Sequence, residues 1–225
     1  MPKLFAFPAS QALREDFEAI LMAYAGKTLP TAPQAPVVVD FAQRYSDEIV
    51  DALMLNLMKG ADADSAAPKA LETVAGIIKG TVHALIRQVL GKLSNAELKP
   101  VADYIASRRA ELTREGVTQD YISFQLAESD YKLLHGAWSK GAAGEGDKEE
   151  MTRAMLRFTE LAIAAFYEDS AKAIKLGFIA RNMFSVGQVA ISKGSKTAIN
   201  RLIPSLRPRE MQDFASYFLS MLQVA

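Results

Sequence analysis

Two stretches of this 225-residue chain recur about half a chain length later, and no motif constrains the fold as much. Lys79, Gly80, Ala84 and Arg87 return as Lys193, Gly194, Ala198 and Arg201, 114 positions on, giving 4 identities in 11 over 79–89 against 193–203. Leu93, Glu97, Ala102, Tyr104 and Ser107 return as Leu206, Glu210, Ala215, Tyr217 and Ser220, 113 positions on, giving 5 in 15. A third match is weaker: Asp16-Phe17, Ile20 and Ala23-Tyr24 against Asp130-Tyr131, Leu134 and Ala137-Trp138, again 114 apart. The period is far longer than the roughly 20–50 residues of solenoid repeats. The expected architecture is therefore one pseudo-two-fold pair, residues 1–112 and 113–225, packed as a single globular unit. The competing account is shared helix-start chemistry, because capping boxes and i, i+3, i+4 stripes recur in unrelated helices.

Helical signals dominate, and the expected fold class is all-α: a bundle of about eight helices, four in each half. Leu13, Phe17, Ile20 and Tyr24 line one face of a first helix. Pro30 and Pro36 bound a break, and a second helix is expected over about 38–58. Residues 62–68 read as a loop. A third helix is expected from about Lys69 to Leu90, stopping at Gly91. Ser94 and Glu97 form a capping box, which satisfies two orphan N–H groups at the start of a fourth helix. Pro100 sits inside that helix and predicts a late start or a kink. In the second half, Tyr121, Phe124, Tyr131, Leu134 and Trp138 at helical spacing predict a helix over 118–138. Three more are expected, over about 148–166, 170–203 and 208–222. Pro208 is well placed at the first position of the last. Residues 173–191 are apolar nearly all round, which predicts a central, buried helix.

The absence of cysteine excludes disulfides, thiolate metal sites and thiol catalysis, and fits a reducing cytoplasm. No run of eighteen apolar residues predicts a membrane span, and the N-terminal Leu4-Phe5-Ala6-Phe7 is too short for a signal-peptide core. With 26 basic and 26 acidic residues, overall charge singles out no partner.

Few residues form a pattern that carries chemistry. Gly26-Lys27-Thr28 lacks the earlier glycine that a phosphate-wrapping loop needs, since position 21 is Leu. His83 and His135 lack the Glu three residues earlier that a helical di-metal site requires. Ser129-x-x-Lys132 lies between charges on an amphipathic helix, not in the desolvated setting that nucleophilic use of the serine requires. Glu160, Glu168 and Asp169 read as a solvated face. The run Leu93-Ser94-x-x-Glu97-Leu98 followed by Val101-Ala102-Asp103-Tyr104-Ile105 is similar to the closing helix of small c-type cytochromes. The chain lacks the Cys-x-x-Cys-His that would attach haem, so the pattern is read as capping chemistry.

Charge is uneven in the second half. Residues 170–209 contain no acid and eight basic residues, while 145–169 contain seven acids. Either the two segments pack as neutralising neighbours, or 193–209 forms a basic surface. No metal and no cofactor is expected. The leading functional expectation is a non-catalytic helical interaction or regulatory module with a protein partner, self-association included. A second is nucleic-acid or anion binding by Lys193, Lys196, Arg201, Arg207 and Arg209. A third is an apolar small-molecule pocket between the halves, lined by Phe178, Met183, Phe184, Phe214 and Phe218.

Overall fold

A computed structural model of the chain describes residues 1–56, 66–114, 116–174 and 177–224. It corrects the all-α expectation. The protein is mostly helical, but its core is built on a four-stranded antiparallel sheet in the order β2-β3-β1-β4. The elements run β1 (Lys3–Pro8), α1 (Gln11–Tyr24), α2 (Ala35–Val50), a first π turn (Asp51–Leu55), α3 (Ala66–Leu90), α4 (Asn95–Arg108) and β2 (Arg109–Arg114). They continue with β3 (Val117–Leu126), α5 (Glu128–Ala143), α6 (Lys148–Ile163), a second π turn (Ala164–Glu168), α7 (Asp169–Lys172), α8 (Phe178–Ser205), α9 (Pro208–Ser220) and β4 (Leu222–Val224). The expected loop over 62–68 falls largely outside the described residues.

The strands escape a helical reading for a physical reason. Leu4, Phe5, Ala6 and Phe7 are all buried, so β1 shows none of the in–out alternation that marks a half-exposed strand. In β3, Tyr121 and Phe124 are three apart, which imitates a helical stripe. The strand face is set instead by Ile122, Phe124 and Leu126, paired across from Phe7, Phe5 and Lys3. The helix expected over 118–138 therefore begins only at Glu128. Gly116 adopts a φ of 79° in the turn between β2 and β3, a conformation that glycine reaches without steric cost.

Among the described residues, strand–helix–helix–π turn–helix–helix–strand describes both 3–114 and 117–224, with one extra short helix in the second run. The N-terminal caps of α2 and α6 are Gln34 and Asp147, and those of α4 and α9 are Ser94 and Arg207, each pair 113 positions apart. The two π turns keep the same spacing. The caps of α1 and α5, Ser10 and Ala127, are 117 apart. The longer, proline-bearing connection between α1 and α2 accounts for the difference. The antiparallel α3 and α8 keep the 113 spacing where they meet. A Cβ on Gly194 would lie 3.6 Å from Val74 Cγ1, and one on Gly187 would lie 3.6 Å from Thr81 Cγ2. Gly187 is required there, because its Cβ would also overlap the Tyr167 hydroxyl.

The aromatic core joins sheet to helices: Phe5 packs on Phe124 and Phe158, and Trp138 on Phe158 and Phe218. The expectation that 173–191 is central fails. Val186 and Val189 of α8 are 71% and 50% exposed, while Gly187 and Ile191 face inward. No helix among the described residues is long and apolar enough to cross a membrane.

Candidate apolar binding site

α2 and α6 each end in a π turn, and each forms one wall of an apolar cavity. The larger cavity, about 160 Å³, lies between α6, α8, α9 and the end of α2. The smaller, about 120 Å³, lies between α2, α3, α4 and the second π turn. They adjoin: Ser46, Ile49, Val82, Phe166 and Tyr167 line both. Their walls correspond at a spacing of 113. Ala42, Tyr45, Ser46, Ile86, Val89 and Val101 of the smaller cavity stand where Met155, Phe158, Thr159, Ile199, Leu202 and Phe214 stand in the larger. Leu53 and Phe166, one from each π turn, complete the two walls in the same way.

Closely packed interiors have few voids larger than a water molecule, and an apolar cavity of about 150 Å³ is known to stay dry and accept a benzene-sized ligand. The hydroxyls in these walls are mostly turned to backbone carbonyls. Ser46 Oγ donates to Gln43 O at 2.8 Å, Thr159 Oγ1 to Met155 O at 2.8 Å, and Tyr167 Oη to Phe184 O at 3.0 Å. Tyr45 differs. Its hydroxyl is fully buried and turned to no backbone carbonyl; its neighbour is the Tyr104 hydroxyl, with which it interacts.

The π turns shape the ends of the site. A π turn shifts carbonyls out of the α-helical pattern, and π turns often mark functional positions. Here a tyrosine from the opposite half meets one carbonyl of each. Tyr104 of α4 donates to Ala165 O at 2.9 Å, and Tyr217 of α9 donates to Ala52 O at 2.8 Å. The surroundings then diverge. Beside Tyr104, Arg108 Nη2 holds Asp169 Oδ2 at 2.7 Å, and the guanidinium stands 5.2 Å from the Tyr104 ring centre. Lys172 Nζ holds the other Asp169 oxygen at 2.6 Å. Positions 113 away from Arg108 and Asp169 carry Met221 and Asn56. Both of these line an open, more polar cleft of about 690 Å³ at the first π turn. Burial pushes the Tyr104 phenol up to about 12, against the lowering influence of Arg108. Burial also raises Tyr45 well above the ordinary tyrosine range, and the neighbouring Tyr104 adds to it. Both stay protonated donors at neutral pH.

The residues expected to form an apolar pocket do not share one cavity. Phe214 lines the larger and Phe184 the smaller. Met183 is partly buried in a satellite cluster with Ile191 and Tyr167. Phe218 lies in the main core against Trp138, and the side chain of Phe178 lies outside the described residues. The expected basic surface is divided. Lys196 binds Glu160 of α6 at 3.0 Å, and Arg207 binds Glu210 of its own helix at 2.6 Å. Lys193, Arg201 and Arg209 are exposed on α8 and α9. His83 Nε2 meets Asp47 at 2.8 Å, while His135 stacks on Tyr131. Tyr45 and Arg108 carry no signal in the sequence, and Asp169, expected on a solvated face, is instead held by Arg108 and Lys172. The aligned Tyr104 and Tyr217 were visible signals, but what they meet could not be read without the π turns. No protein-family model, no curated protein and no solved structure matches this chain.

Proposed function

We propose that this protein is a non-catalytic helical module that holds an apolar small molecule in the two adjoining cavities. The observation that carries the reading is the cavity pair itself, about 160 and 120 Å³ and so about 280 Å³ in all, walled almost wholly by hydrocarbon and aromatic side chains. That approaches the lower end of the roughly 300–1,000 Å³ common for ligand pockets. Two adjoining chambers that share five wall residues favour an extended aliphatic molecule over a compact one. The test is native mass spectrometry of the purified chain, followed by thermal unfolding with six- to ten-carbon aliphatic ligands. Retained ligand, or a midpoint rising with ligand concentration, is the expected result. No retained mass and no shift with any of them would overturn the reading.

A protein contact is a second reading, supported by Ile77, Val186 and Val189, which α3 and α8 expose at 61%, 71% and 50%. Light scattering across a concentration series tests self-association, and a constant monomer mass would remove it.

A further inference from the structure

α3 and α8 pack antiparallel and turn one face outward, on which Ile77 of α3 and Val186 and Val189 of α8 stand exposed. Gly76, Gly80 and Ala84 are exposed along the same side of α3. A Cβ on Gly76 or Gly80 would meet nothing within 4 Å, so no neighbour in the chain requires a glycine there, and glycine weakens a helix interior. Two charges bracket this face. Glu72 and Arg87 are exposed and have no ion-pair partner among the described residues. They lie 15 positions apart, about 22 Å along the helix. At about 100° per residue, both fall on the edge of the face nearer α2, where Lys79 and His83 reach Asp51 and Asp47. Across the seam with α8, Val74 stands by Gly194 and Thr81 by Gly187. The midpoint of Glu72 and Arg87, between Lys79 and Gly80, is therefore level with Gln188 and Val189 of α8.

We propose that this face binds a second copy of the same chain, α3 on α3 and α8 on α8, antiparallel about a two-fold axis at that level. This rests on the protein-contact reading above. In such a pair residue i of one copy meets j of the other, and j meets i. Glu72 of each copy then meets Arg87 of the other, so that both ends of the face pair an acid with a base. Each Ile77 falls between Gly80 and Ala84 of the opposite α3, where the small residues leave room, and the two Val189 side chains meet near the axis. A parallel pairing would instead set Glu72 on Glu72 and Arg87 on Arg87, which like-charge repulsion disfavours. The two Lys193 side chains of the antiparallel pair start about 14 Å apart along the helices, beyond the screening length at physiological salt. The face spans about 22 Å by the width of two helices, about 20 Å, or about 400–450 Å² per copy. A standard stable interface takes about 800 Å² per partner, so the dimer is weak and reversible, with a dissociation constant of about 10–100 μM.

The experiment is analytical ultracentrifugation of the full chain over a concentration series spanning that range, with Glu72→Arg, Arg87→Glu and Ile77→Lys as variants. All three positions are exposed, and circular dichroism checks that each variant folds. Each charge reversal turns two attractive pairs into two repulsive ones and is expected to weaken the dimer by about tenfold. An equimolar mixture of Glu72→Arg and Arg87→Glu should recover the original affinity to within about threefold, because opposite charges face each other again in the mixed dimer. Ile77→Lys should leave only monomer. A dimer insensitive to all three would overturn this face while self-association stands. Loss without recovery in the mixture would overturn the two-fold arrangement. Monomer at every concentration would remove both this inference and self-association. Since the chain has no cysteine, oxidation of single-cysteine variants gives a check that needs no charge reversal. Gly80→Cys, next to the axis, should form a disulfide-linked dimer. Glu72→Cys, about 22 Å from its counterpart, should not. The opposite pattern, or no cross-linking at Gly80→Cys, refutes the antiparallel pair.

Discussion

The surroundings of the two π turns differ in charge while the order of elements around them stays the same. At both, a tyrosine from the opposite half donates to a π-turn carbonyl, Tyr104 to Ala165 and Tyr217 to Ala52. At the second turn the neighbours are Tyr45, Arg108 and Asp169; at the matching positions are Phe158, Met221 and Asn56. The charged pair is therefore not a requirement of the scaffold, since an uncharged set occupies the same frame.

The largest expected break in this comparison comes at high pH. A tyrosine whose folded pKa is raised stabilises the fold fully below its ordinary value of 10.0, and that contribution is lost as pH rises toward about 12. For Tyr104 the difference corresponds to about 2–3 kcal/mol. The Tyr104→Phe chain should lose stability less steeply between pH 10 and 12 than the unaltered chain, followed by tyrosinate absorbance and circular dichroism together. An unchanged slope would show that Tyr104 does not control the alkaline transition.

The ion pair should show the next largest effect. Arg108→Met alone leaves Asp169, whose side chain is 36% exposed, with only Lys172, and should cost about 1–2 kcal/mol in urea unfolding. Arg108→Met with Asp169→Asn reproduces the other half and should recover most of that loss. A double variant as unstable as the single would show that the two surroundings are not interchangeable.

Tyr104→Phe and Tyr217→Phe should each cost about 1 kcal/mol near neutral pH, by loss of the hydrogen bond to the π-turn carbonyl. A cost confined to one of them would show that only one π turn depends on its tyrosine. The smallest effect concerns the caps. Hydrogen bonds from Ser94 hold Glu97 below its ordinary pKa of 4.5, and those from Arg207 do the same for Glu210. This stabilisation is present above pH 4.5 and is lost as pH falls through the folded values. Glu97→Gln and Glu210→Gln should each blunt the acid-induced fall in the unfolding midpoint, and by similar amounts in the two halves.

Much of the helical part was legible because helix ends have local chemistry. Ser94 and Glu97 form the expected reciprocal box, and Pro208 opens α9. Pro100 neither delays nor ends α4, which runs from Asn95 through it to Arg108. The sheet was not legible, because a strand buried on both faces has no period to read. The spacing of the halves was partly legible. Identities favoured 114 for α1 against α5, whereas their caps are 117 apart, a slip of about one helical turn that leaves an apolar stripe in phase. The misplaced α8 has a related cause: Val186 and Val189 are as apolar as the residues they flank, and composition does not record which face finds a neighbour. The candidate site was the least legible, because it depends on tyrosines meeting carbonyls about 60 and 165 residues away in the chain.

The strand order β2-β3-β1-β4 has a consequence for how such a chain can be divided. Among the described residues, neither half contains two strands that pair with each other: β1 hydrogen-bonds to β3 and β4, and β2 to β3. Cut at the turn between β2 and β3, each fragment would hold two strands with unpaired edges and a π-turn carbonyl without its tyrosine. The two runs of elements are interleaved, so that each completes the other's sheet and the other's π turn.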